Sequence, residues 1–110
     1  MATSPTQRSL AYLRELGYYC EIVEHWNSFT NQRKDLWGWC DILALRRDEV
    51  LAVQTTASAV SARVNKILAA PNLNAVREAG IKIHVHGWIR QPINKTRKKV
   101  TYKLRIEDLS

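Results

Sequence analysis

Cysteine is scarce in this chain. Cys20 and Cys40 are the only two, too few for the multi-bridge framework that holds small secreted domains together. Neither sits in a CxxC pair or beside histidines at structural-zinc spacing. Glycine and proline are also few, at four and three, which excludes collagen-like and low-complexity chains. No apolar run approaches the ~20 residues of a membrane-spanning helix. The opening MATSPTQRSL holds no apolar stretch of the kind a signal peptide needs. These absences lead to the expectation of an intracellular, cytoplasmic protein with no membrane partner and two reduced, buried thiols.

What is present describes one globular domain. The 110 residues are 45% hydrophobic and 25% charged, enough apolar side chains for a core but not for two. The charge is lopsided. Residues 1–79 hold nine Lys and Arg against eight Asp and Glu, whereas residues 80–110 hold eight against two. Arg90, Lys95, Arg97, Lys98 and Lys99 fall within ten residues free of acid. A basic segment of this kind is the footprint of a polyanion partner, usually the backbone of a nucleic acid, or else a solvated loop.

Ser4-Pro5 reads as an N-cap with proline at the first helical position, and Leu10, Ala11, Leu13 and Leu16 follow at helical spacing up to Gly17. Residues 18–27 are rich in aromatic and β-branched types and predict a single strand. Residues 28–38 show no period and predict a loop carrying Arg33, Lys34 and Asp35. Residues 39–45 and 50–56 predict a hairpin. Val60, Val64, Ile67 and Leu68 form the stripe of a helix ended by Pro71, and Asn72 caps a short helix running to Gly80. Ile81, Ile83 and Val85 alternate with Lys82, His84 and His86, and Val100, Tyr102, Leu104 and Ile106 alternate likewise, giving two half-buried strands. The expected fold is α/β: a mixed central sheet flanked by helices in the order αβββα(α)ββ.

If the hairpin is symmetric about its turn, Leu45 opposes Val50, Leu43 opposes Ala52 and Asp41 opposes Gln54. Thr56, two residues on, shares the face of Gln54. A carboxylate and an amide oxygen, with a strand carbonyl such as that of Thr55, make a hard-oxygen set suited to Mg²⁺ or Mn²⁺. A divalent ion beside a basic surface is the equipment for phosphodiester hydrolysis. The plainer reading of the trio is a carboxylate that hydrogen-bonds a turn.

The element order, together with Gly38-Trp39-Cys40-Asp41 entering one strand and Gln54-Thr55-Thr56 ending the next, resembles the PD-(D/E)XK nuclease superfamily. The nearest group is the Holliday-junction resolvase-like endonucleases of phage and archaea. Leu16-Gly17-Tyr18 between the first helix and strand fits as well, and the resemblance spans about residues 7–86. It implies a restriction-endonuclease-like fold and a homodimeric, metal-dependent endonuclease acting on branched or structured DNA, with Asp41 and Gln54 holding the ion. The superfamily's second acid falls on Gln54 and its lysine on Thr56. Its first-helix glutamate has no counterpart among Gln7, Arg8 and Ser9.

Three residues are candidates to fill these places. Glu24, beside His25 and Trp26, replaces the missing acid if it points at Asp41, and Asp35 serves the same purpose or pairs with Arg33 and Lys34. Lys66, three residues after Arg63 and off the apolar stripe, replaces the missing lysine if it reaches back over the strand end. His84 and His86 lack a third ligand nearby and are expected at the surface or facing DNA. Of Trp26, Trp37, Trp39 and Trp88, most are expected in the core or a dimer interface, with Trp37 able to stack on a base. The competing function is a DNA-binding module with a decayed site, held within a larger complex.

Overall fold

The computed structural model describes residues 3–93 and 100–110. Lys95, Arg97, Lys98 and Lys99 lie outside the described residues. Helix α1 (Pro5–Glu15) opens as its sequence dictates: Ser4 is extended, its hydroxyl accepts the Gln7 N–H at 3.1 Å, and Pro5 occupies the first turn. Gly17, at φ +91°, turns the chain back toward the sheet. Five strands form that sheet in the order β1–β4–β5–β6–β7. They are β1 (Tyr19–Ile22), β4 (Ile42–Arg46), β5 (Glu49–Thr56), β6 (Lys82–Pro92) and β7 (Val100–Asp108). Among the described residues only β5 and β6 pair in parallel, joined by helices α2 (Val60–Leu68) and α3 (Leu73–Glu78). The result is an α/β domain with a mixed sheet.

The β4–β5 register agrees with hairpin symmetry, pairing Leu45 with Val50 and Leu43 with Ala52. The segment before it departs from the single strand expected over 18–27. The chain changes partner at Val23: its N–H still donates to the Asp41 carbonyl at 2.8 Å, in step with β4, while its carbonyl accepts the Leu36 N–H at 3.1 Å. Beyond it, β2 (Glu24–Asn27) leaves the main sheet and pairs antiparallel with β3 (Gln32–Asp35). The stretch read as a loop is therefore half of a two-stranded ribbon. Asn27, Ser28, Thr30 and Asn31 are turn formers, the Asn27 side chain accepts the Phe29 N–H at 2.9 Å, and Asn31 takes φ +56°. Only the foot of the ribbon, through Val23, Leu36 and Trp37, packs on the core.

Both faces of the sheet are covered. Leu10 and Leu13 of α1 pack on Ile42, Ala44, Leu51 and Val53. On the other face Val60, Ile67, Leu73 and Val76 pack on Ala52, Ile83 and Val85. Leu16 and Leu68, at the ends of their stripes, remain about half exposed. At the crossing of α2 and β6 there is no room for a side chain: a Cβ on Gly87 would lie 2.3 Å from Val60 Cγ2.

This double cover corrects the reading of the histidines. Strand alternation sends His86 away from α2, yet it meets α1 instead of solvent. His86 is fully buried, its Nδ1 2.9 Å from Ser9 Oγ and its ring edge-on to Tyr12. The Trp88 indole N–H donates to the same Ser9 oxygen at 2.8 Å, so one serine hydroxyl ties both rings of β6 to α1. Burial, and then the neighbouring His84, push the His86 pKa down to about 4. His84 is partly buried, with Nε2 3.6 Å from Asp108 Oδ2. In β7 the alternation holds from Val100 to Leu104 and lapses at Ile106, which is exposed. No helix among the described residues is long and apolar enough to cross a membrane.

Candidate metal centre

Asp41 lies where β1, the ribbon, β4 and β5 meet. Its carbonyl accepts from Val23 and its N–H donates to the Val53 carbonyl, both at 2.8 Å, so its backbone is held from both neighbours. Its side chain is 3% exposed. One carboxylate oxygen, Oδ2, accepts three bonds: from Gln54 Nε2 at 2.7 Å, the Thr55 N–H at 2.8 Å and Thr55 Oγ1 at 3.1 Å. The Thr55 hydroxyl lies in turn 2.9 Å from Thr6 Oγ1 of α1. The amide of Gln54 thus presents its nitrogen to Asp41. Its Oε1 is buried with no hydrogen-bond partner among the described residues.

The ribbon supplies the rest. Glu24 opens β2 and Asp35 closes β3, and the register sets them directly opposite each other. Carboxylates opposed on one face of a strand pair repel, so this arrangement calls for a counter-charge. Because the ribbon is rooted at Val23 and Leu36, its foot lies against Asp41. One oxygen from each of Glu24, Asp35 and Asp41 lies within 4.8 Å of the others. Burial, together with Glu24, pushes the Asp41 carboxyl above the usual range, while the Thr55 bonds pull it down. Asp35 is raised by burial and then by Asp41, and lowered by Lys66 and Arg63. Without a cation, Asp35 and Asp41 hold their protons to higher pH than free carboxyls do.

The residues singled out in the sequence divide between one polar groove and the surfaces around it. Asp41, Gln54, Glu24 and Asp35 line the groove with Arg33 and Arg63. Arg63 is half-buried, and its Nε has no partner among the described residues. Lys66 is exposed, near enough for its charge to act on Asp35. Thr55 and Thr56 also line the groove but are engaged elsewhere. The Thr55 carbonyl receives Gln54 Nε2 at 3.3 Å, and Thr56 Oγ1 accepts the Ala59 N–H at 3.3 Å, supporting the entry to α2. Lys34 pairs with His25 on the face of the ribbon away from the carboxylates. Arg90 is exposed on β6. Trp39 is buried and donates to Asn72 Oδ1 at 3.0 Å, with Trp37 packed on it. The strand pairing of Glu24 with Asp35 is absent from the sequence reading, though the Asn27–Asn31 turn formers mark a hairpin.

The chain matches no family model, no curated protein and no solved structure.

Three carboxylates make an all-oxygen donor set, with Gln54 lining the same groove, and hard oxygen donors favour Mg²⁺, Mn²⁺ or Ca²⁺ over the softer transition metals. The orphaned Gln54 oxygen is an acceptor that a cation would satisfy. The residues present therefore fit a divalent ion.

Proposed function

We propose that the chain is a metal-dependent endonuclease of the PD-(D/E)XK type that acts on DNA, with Glu24, Asp35 and Asp41 holding Mg²⁺ or Mn²⁺. The observation that carries this reading is the convergence of those three carboxylates within 4.8 Å. Two of them take the place of the acids missing at the first helix and at Gln54. When bound, the ion supplies Lewis-acid polarisation of a phosphodiester and acidifies an attacking water.

The protein's own residues do the rest. Gln54 and Thr55 hold the Asp41 carboxylate in one orientation, and Gln54 Oε1 offers a neutral fourth donor. Arg63, and Lys66 on the same helix, bring positive charge to the carboxylates, where it would offset charge that builds on the phosphate. Arg33, 3.9 Å from Glu24 Oε1 and largely exposed, is placed to meet a flanking phosphate. The basic C-terminal segment, with Arg90, Lys95, Arg97, Lys98 and Lys99, would add sequence-independent backbone contacts. In this reading the active form is a homodimer, one site for each strand cut.

One observation favours the second reading, a DNA-binding module without turnover. The position of the family lysine holds Thr56, whose hydroxyl is committed to the Ala59 N–H. Calorimetry with Mn²⁺, paired with nicking of supercoiled DNA, separates the two. Wild type should bind Mn²⁺ and nick, and Asp41→Asn should lose both while keeping its affinity for DNA. Mn²⁺ and DNA binding with no cleavage of any DNA would establish the module. No Mn²⁺ binding at all would refute the metal centre.

A further inference from the structure

Resting on that reading, we infer that the ribbon selects DNA with an unpaired base beside the scissile phosphate, by stacking that base on Trp26. The register pairs Trp26 with Arg33, two residues out from the Glu24–Asp35 pair. Alternate pairs share a face, so Trp26 and Arg33 stand on the carboxylate side of the ribbon. The Arg33 guanidinium confirms the side, with Nη1 3.9 Å from Glu24 Oε1. Two residues of strand advance roughly 6.6 Å, about the rise of two stacked nucleotides at 3.4 Å each. Arg33 lines the carboxylate groove, and Trp26 lines the hollow beside it with Phe29 and Trp37, Asp35 bordering both. A DNA strand leaving the carboxylates past Arg33 therefore meets an aromatic face one or two nucleotides on.

Both side chains are exposed beyond what folding requires. Trp26 is 62% exposed and the Arg33 side chain 67%. Past its foot the ribbon is packed mainly on itself. An indole beside a guanidinium matches the two halves of a nucleotide, one stacking on the base and the other pairing with phosphate. Phe29, at the turn, is 99% exposed and extends the aromatic surface outward. Within a duplex the base faces are already stacked on one another. Only a gap, flap, bulge or single strand offers one to Trp26.

The test compares a fully paired duplex with the same duplex carrying a short single-stranded gap, using full-length protein in Ca²⁺ and fluorescence anisotropy. Wild type should prefer the gapped DNA. Trp26→Ala should lose roughly 5- to 150-fold in affinity for it, the range that corresponds to 1–3 kcal/mol per stacked base. Its affinity for the duplex should change little, and Trp26→Phe should retain most of the preference. Equal loss on both DNAs, or no loss on either, overturns the inference. So does a lower sedimentation mass of Trp26→Ala, which would assign the patch to a second copy of the chain. The outcomes also separate the two proposals. Preserved gap preference without cleavage in Mn²⁺ would support the Trp26 stack while refuting the nuclease. Equal nicking of both DNAs by wild type and Trp26→Ala would do the reverse.

Discussion

Asp35→Asn tests the carboxylate cluster without depending on any DNA substrate. With no cation bound, the ligand oxygens of Glu24, Asp35 and Asp41 lie within 4.8 Å of one another. At an effective dielectric of about 20, two unit charges at that distance repel by about 3.5 kcal/mol. Asp35 belongs to two of the three pairs, and Lys66 and Arg63 offset part of that repulsion. A proton taken up by the cluster would relieve the remainder. Each pH unit above the ordinary carboxyl value of 3.8 raises the cost of that uptake by about 1.4 kcal/mol, which caps the strain near 4 kcal/mol at neutral pH. Asparagine keeps the shape and removes one charge, but it also loses the attraction to Lys66 and Arg63. In EDTA at neutral pH the variant should therefore be more stable than wild type by about 1–3 kcal/mol.

The pH dependence has a definite sign. Asp35 and Asp41 both have raised folded-state pKa values. Such groups stabilise the fold fully below their unfolded pKa, and that contribution is lost as pH rises through the folded value. The advantage of Asp35→Asn should thus be absent below the ordinary value of 3.8 and should grow as pH rises through the raised Asp35 pKa. Mn²⁺ should reverse the ranking. A ligand at a hundredfold its Kd stabilises wild type by about 2.7 kcal/mol, and the variant, one carboxylate short, gains less. Urea unfolding followed by circular dichroism, with EDTA or Mn²⁺ across this pH range, measures every term. A variant less stable than wild type in EDTA at neutral pH, or an equal gain from Mn²⁺ in both proteins, would refute the reasoning.

Lys66→Ala should slow nicking by roughly 100-fold, the usual cost of losing one preorganised charge partner, with little change in DNA affinity. Undiminished nicking would remove Lys66 from the site. Gly87→Ala should cost about 1–3 kcal/mol through overpacking, since its Cβ would lie 2.3 Å from Val60 Cγ2. Adding Val60→Ala should recover part of that loss in thermal unfolding, and a Gly87→Ala protein as stable as wild type would contradict the close approach. His86, with its pKa lowered to about 4 from 6.5, contributes stability that is full above 6.5 and lost as pH falls toward 4. The stability difference between wild type and His86→Leu should shrink by about 3 kcal/mol across that window, and a difference that stays flat would argue against a buried neutral histidine.

The sequence by itself determined what local chemistry decides. Ser4 and Pro5 start α1 and Gly17 stops it, because capping and φ preference act over a few residues. The hairpin register of Leu43 and Leu45 on Ala52 and Val50 follows from the short turn at Arg47-Asp48 and the period of two. The same register brings Asp41 to Gln54. Tertiary structure alone decided what depends on partners far along the chain. Residues 18–27 look like one strand, yet at Val23 the carbonyl turns to the Leu36 N–H, thirteen positions on. Without that change of partner, Glu24 would have remained in the sheet. His86 reads as an exposed strand residue, and is buried only because Ser9 and Tyr12 of α1 close over it from the other end of the chain. Glu24 and Asp35 are eleven residues apart, and no propensity brings them to Asp41. The ribbon does so because it is rooted in the core through Val23, Leu36 and Trp37: burying that apolar foot carries the two carboxylates to the third.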